Sequence, residues 1–197
     1  MGLPFLTILN MSYMKRVLIL LFSMTLLLAC NYANEKTCFI DGNISLEEYS
    51  NMYLVDYNGN LLDSTFRSSD GSFSFKYTGK DMPRIVVLEL RNPRLIKDVV
   101  YLPVALESGC VRITIGSRLH MSGTKLNNKI MNFFDGLQQI GDEIQFNVAT
   151  LDECKRIYSA FYLQKIQENE KNAFGDYLKL AYARELTPED LEALVDD

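Results

Sequence analysis

DGSFSFKY, residues 70–77, alternates small or charged side chains with Phe73, Phe75 and Tyr77. A period of two puts the three rings on one face of a strand, and such a face needs a core to cover it. Asp70-Gly71 in front of it accepts positive φ in a two-residue hairpin turn, as does Asn58-Gly59 upstream. The two turns separate the runs MYLVDY (52–57), LLDSTF (61–66) and SFSFKY (72–77), which predicts a three-strand meander.

Working outward, the chain continues with RIVVLEL (84–90), VVYLPVAL (99–106) and CVRITI (110–115), and a further run starts near Thr37. Pro103 cannot donate to a ladder, so its run belongs at a sheet edge or a bulge. Seven to eight short strands at this spacing predict an antiparallel β-sandwich or open barrel over residues 37–122.

After Gly123 the period changes. Leu126, Ile130, Phe133, Leu137, Ile140 and Ile144 form one helical stripe, with Ser122 or Thr124 able to cap its start. Gly136 and Gly141 each cost a helix about 1 kcal/mol relative to Ala, so a break is expected near them. A second helix should carry Cys154, Ile157, Tyr158, Phe161 and Tyr162. A third should carry Phe174, Tyr177, Leu178, Ala181 and Tyr182 behind a cap at Asn172. Thr187-Pro188-Glu189-Asp190 starts a last short helix: hydroxyl cap, proline in the first turn, then acids where the dipole favours them. The fold class is therefore α+β, with a small helical appendage over residues 123–197.

At the other end, MKRVLILLFSMTLLLAC (14–30) has Lys15 and Arg16, then an apolar run from Val17 to Leu28, then a small residue before Cys30. That is an export-signal layout, and the run falls short of the ~20 residues that span a bilayer. Leu27-Leu28-Ala29-Cys30 resembles the lipobox of bacterial lipoproteins, which implies cleavage after residue 29 and acylation of Cys30. Translation is expected to start at Met14 or Met11. Leu6 stands where a myristoylation site behind Met1-Gly2 would need Ser or Thr. Residues 30–36 then form a lipidated tether, and the location is the cell envelope, on the periplasmic or surface face of an outer membrane.

The full chain carries a net charge of −5, and removing residues 1–29 takes away two positive charges and no negative ones, leaving −7. An acidic surface is a poor partner for nucleic acid, whose affinity rests on Lys and Arg neutralising phosphate. With Cys30 assigned to lipid, Cys38, Cys110 and Cys154 remain, as free thiols or with two of them in one internal disulfide. Alternation puts Cys38 on the face of Ile40, and Cys110 with Arg112 and Thr114, which disfavours a bridge between those two. Cys154 falls on an apolar helix face and reads as a small core residue.

Catalytic signals are sparse. His120 is the only histidine and has no obvious nucleophile beside it in RLHMSG (118–123). The remaining cysteines are spaced too widely for a zinc site. Glu47-Glu48, Asp142-Glu143 and Asp152-Glu153 are acidic pairs of the kind that solvate a surface. The glycines are scattered singly, so no phosphate loop is present and no cofactor is expected. Tyr49, Tyr53 and Tyr57 could line a sugar or peptide platform, although half-buried strand tyrosines are the commoner case.

The order of FIDGNI (39–44), MYLVD (52–56), DGSFSF (70–75) and SGTKLNNKI (122–130), behind a lipobox, resembles a Bacteroidetes lipoprotein family. Its members carry an amino-terminal domain of unknown function ahead of a thioredoxin-like domain of the TlpA or ResA type. The similarity runs over most of residues 37–195. It implies a membrane-anchored accessory module with a protein partner in envelope thiol-disulfide systems. The working motif of that family's thioredoxin domain is W-C-x-x-C, and this sequence contains no CxxC, so the redox chemistry transfers to none of its residues. A stand-alone or shortened copy of the accessory domain, or one whose catalytic partner is a separate chain, is the expectation. The function anticipated is thus non-catalytic binding or positioning. The alternatives are small-ligand or glycan recognition by the sheet face, and thiol-disulfide activity through the spare cysteines.

Overall fold

The computed structural model describes residues 35–147 and 150–195. The expected signal segment and the lipidation residue Cys30 lie outside them. The strands are β1 (Lys36–Ile44), β2 (Asn51–Val55), β3 (Leu61–Phe66), β4 (Ser72–Gly79), β5 (Arg84–Arg91), β6 (Val99–Leu106), β7 (Gly109–Ile115) and β8 (Leu119–Ser122). They form two four-stranded sheets, ordered β4-β1-β7-β8 and β3-β2-β5-β6. The class is α+β with a helical carboxy-terminal part, and neither sheet closes into a barrel.

Most neighbours are antiparallel, but β1 and β7 run parallel, with Ile40 opposite Val111. Inward positions of one sheet, including Cys38, Ile40, Ile44, Val111 and Ile113, share a core with Met52, Leu54, Leu88, Leu90, Leu102 and Val104 of the other. All eleven side chains are 4% exposed or less, and burying one such Leu or Ile contributes about 2 kcal/mol.

The meander holds for only two of its strands. β2 and β3 pair through the Asn58-Gly59 turn, which Asp56 fixes by accepting from the Asn58 and Asn60 amides at 2.9 and 2.8 Å. Asp70-Gly71 does turn the chain, but β4 joins the other sheet beside β1: Ile44 N donates to Gly71 O at 2.9 Å, and the Thr37 and Thr78 hydroxyls lie 3.2 Å apart. Gly42 on β1 accommodates this placement, since a Cβ there would fall 2.1 Å from the Phe73 ring. Phe73 fills the space that this glycine leaves open. Pro103 lies in β6, an edge strand, where its missing N–H removes nothing from the sheet interior.

Helices follow at α1 (Lys125–Asn147), α2 (Leu151–Asn169), α3 (Ala173–Tyr182) and α4 (Pro188–Val195), with a 3-10 turn at Ala183–Glu185. The expected break at Gly136 and Gly141 is absent, and α1 runs on for 23 residues. A Cβ at Gly136 would sit 2.8 Å from the Phe161 ring, so the glycine serves close approach of α2 and leaves the helix intact. The α1 cap also differs from expectation: Glu107 accepts from Leu126 N at 2.9 Å, while the Thr124 hydroxyl accepts from the Asn127 side chain. Asn172 caps α3 as expected, accepting from Phe174 N at 3.0 Å.

α1 contacts the edge strands β6 and β8, and α3 contacts β5. Phe133 on α1 ties the helices together, with Phe161, Phe174 and Tyr182 ring centroids 5.5, 5.9 and 5.3 Å away.

Candidate functional site

Cys38, Cys110 and Cys154 are all unbridged. Cys38 is fully buried on the inner face of β1, whereas Cys110 is exposed on the outer face of β7 and donates to Asp41 at 3.4 Å. Burial pushes the Cys38 thiol up, and desolvation together with the Asp41 carboxylate pushes Cys110 up as well. Cys154 is half-buried on α2.

His120 is exposed on β8, opposite Thr114. Glu47 and Glu48 are exposed in the turn between β1 and β2, and Asp142 and Glu143 are exposed on α1. Glu153 closes a capping box at the start of α2: it accepts from Thr150 N at 2.8 Å, and those Thr150 contacts hold its carboxyl below the usual range. Among the described residues, no three His, Cys, Asp or Glu side chains gather where they could hold a metal ion.

The three tyrosines of the anticipated platform are not one surface. Tyr49 is buried, and its hydroxyl donates to Asp98 at 2.7 Å. Tyr57 stacks on Tyr177 of α3 at 5.9 Å. Only Tyr53 lies on the uncovered part of the second sheet, with the Arg91 guanidinium 4.7 Å from its ring centroid. Its companions escaped the sequence reading. Register aligns Ser64, Tyr53, Glu89 and Tyr101 in one row, and Phe66, Asn51, Arg91 and Val99 in the next. Tyr101 is 64% exposed and Phe66 72%. VVYLPVAL conceals this because the outward residues after Tyr101, Pro103 and Ala105, are buried, which erases the alternation that marks an open face.

A second open feature is a groove of about 790 Å³ between the β7–β8 turn, α1 and Tyr158 of α2. Leu119, Met131, Phe134, Leu137 and Tyr158 supply its apolar lining, and Arg118, Asp135, Asp142 and Glu143 are its charged groups. Gln138 donates to Asp142 at 2.8 Å and Gln139 to Glu143 at 2.9 Å, one helical turn along in each case. The predicted stripe of α1 divides here: Leu126, Ile130 and Phe133 are buried, whereas Leu137, Ile140 and Ile144 are only half covered.

The buried polar side chains serve the framework. Asn127 bonds the β6 backbone, and Ser159 accepts from Thr187 N at 2.7 Å while donating to Asp190. Asn169 accepts from Lys129 Nζ at 2.7 Å and donates to Lys165 O at 2.9 Å. The fold and these surfaces define an α+β protein with two open faces. Compared with known proteins, the chain matches no family model and no curated protein.

Proposed function

We propose that the protein is a non-catalytic module, anchored to the outer membrane through lipid on Cys30, that binds or positions another protein of the cell envelope. Its setting is a thioredoxin-like thiol-disulfide system. The observation that carries the reading is the groove beside α1, where Phe134 and Leu137 are only half covered and lie among polar and charged side chains. Uncovered apolar surface rimmed by polar residues is the mark of an interaction site. The buried polar groups support the same reading, since Asn127, Ser159 and Asn169 are each spent on backbone or helix ends. The raised thiols of Cys38 and Cys110 speak against a redox role, because the thiolate is the reactive form.

The test is a crosslinking pull-down from native envelopes, with intact mass spectrometry of the bait. An acylated mass beginning at Cys30 and a specific protein recovered with it are the expected results. A bait without lipid, or one that recovers nothing, overturns the reading.

A second reading, glycan or small-ligand recognition, is favoured by the sheet face carrying Tyr53, Tyr101 and Arg91 beside Asn51 and Ser64. Aromatic faces with hydrogen-bonding groups between them suit a sugar ring. Tyr101→Ala would abolish glycan-array binding if that reading is correct, and a blank array for the unaltered protein removes it.

A further inference from the structure

We infer that the groove along α1 receives a short amphipathic segment of a partner protein, one bearing aliphatic side chains and Lys or Arg. The inference rests on the binding role proposed above and names the surface and the chemistry it selects. The lining offers Phe134, Leu137 and Tyr158 to apolar groups. Asp135, Asp142 and Glu143 outnumber the single Arg118, so the groove is acidic within a protein that is itself acidic. Its volume of about 790 Å³ lies within the ~300–1,000 Å³ of clefts that enclose small ligands, room for a few side chains and no more.

Charge selects among occupants. A second copy of this chain docking through the same groove would set acid against acid, which costs affinity. Nucleic acid and anionic lipid headgroups are repelled for the same reason. A cationic amphipathic segment satisfies both parts: its apolar side chains cover Leu137 and Phe134, and its Lys or Arg groups meet the carboxylates. Gln138 and Gln139 donate to Asp142 and Glu143 from one helical turn away, which places both carboxylates along the same side of α1.

The probe is a fluorescein-labelled Leu/Lys peptide with leucines at helical spacing, and its Leu/Glu counterpart serves as control. The full chain is titrated with each, and amide shifts are mapped by NMR. The Leu/Lys peptide is expected to shift resonances of α1 and Tyr158, to bind more weakly as salt rises, and to lose about tenfold in affinity to Asp135→Asn/Asp142→Asn/Glu143→Gln. Glu47→Gln/Glu48→Gln, which removes acids outside the groove, should leave affinity unchanged. Equal binding to the groove variant, shifts that spread over the acidic surface, or equal binding of the Leu/Glu peptide would overturn the inference. None of these results touches the pull-down, so a protein recovered there while the groove fails to bind the peptide leaves the broader role standing.

Discussion

Asn127 pairs with Ala105 as a neighbouring strand would: its Oδ1 accepts from Ala105 N at 2.9 Å and its Nδ2 donates to Ala105 O at 2.8 Å. The second Nδ2 hydrogen reaches the Thr124 hydroxyl at 2.8 Å. β6 is an edge strand, and this fully buried amide from α1 closes part of that edge while binding the helix to the sheet. Asn127→Ala would orphan a buried N–H and a buried C=O together, at a cost of about 3 kcal/mol. In urea the midpoint should fall with an unchanged slope, and a midpoint equal to that of the unaltered protein would show that water replaces the amide.

Two glycines with positive φ should behave very differently. A Cβ at Gly123, where φ is 120°, would lie 2.0 Å from the Cys110 carbonyl oxygen, so β8 could not turn into α1 without moving β7. Gly59 has φ 78° and nothing within 4 Å of the same atom. Gly59→Ala should therefore cost only the left-handed penalty of about 1 kcal/mol, and Gly123→Ala about 3 kcal/mol or more. Thermal melts of the two variants side by side decide the matter, and equal shifts would refute the steric account.

These positions also show what a sequence displays and what it hides. Strands and turns were legible because their signals are local: alternation at Phe73 and Phe75, and Asp-Gly and Asn-Gly at the bends. The partner of β4 was not, because alternation says which face is buried without saying which strand lies alongside. That placement brings Phe73 over the missing Cβ of Gly42, a contact between residues 31 positions apart. Gly136 misled for a related reason, since its cost to α1 is offset by close packing of Phe161, which belongs to another helix. The sheet face was legible only through Tyr53, since burial of Pro103 and Ala105 masks the outward position of Tyr101.

Ser159 joins α2 to the start of α4. It accepts from Thr187 N at 2.7 Å and donates to Asp190, and the residue is fully buried. Ser159→Ala leaves the Thr187 amide without that acceptor and should cost about 1–2 kcal/mol. A double-mutant cycle with Asp190→Asn should return a coupling above about 0.5 kcal/mol, and strict additivity would mean that the two side chains act independently.

Alkali should unfold the protein through its tyrosines. Burial raises Tyr57, Tyr177 and Tyr182 above the ordinary value of 10.0, and Tyr162 is pushed up to about 12. For a group raised in the folded state, the stabilisation is complete below the unfolded value and is lost as pH rises towards the folded one. The window therefore opens near pH 10, where unfolded tyrosines ionise and folded ones resist. Denaturation midpoints should hold up to about pH 9 and fall steeply between about 10 and 12, with a smaller fall in Tyr162→Phe. A midpoint that stays flat through this window would contradict a half-buried ring cluster held neutral.

The cysteines give the sharpest contrast between proximity and reach. Register sets Cys38 opposite Gly109 and Phe39 opposite Cys110, so the two thiols belong to neighbouring positions on paired strands yet project from opposite faces. Bridging them would require β1 or β7 to shift its register by one residue, which would turn a row of core side chains out to water. In the native protein Cys110 should be alkylated, slowly for an exposed thiol because Asp41 and desolvation disfavour its thiolate. Cys38 should resist until the chain unfolds, so its labelling rate should follow denaturant concentration along the unfolding curve. Peptide mapping after timed alkylation separates the two sites. A Cys38–Cys110 disulfide recovered under native conditions would contradict the parallel β1–β7 register, which holds the two thiols on opposite faces of the sheet.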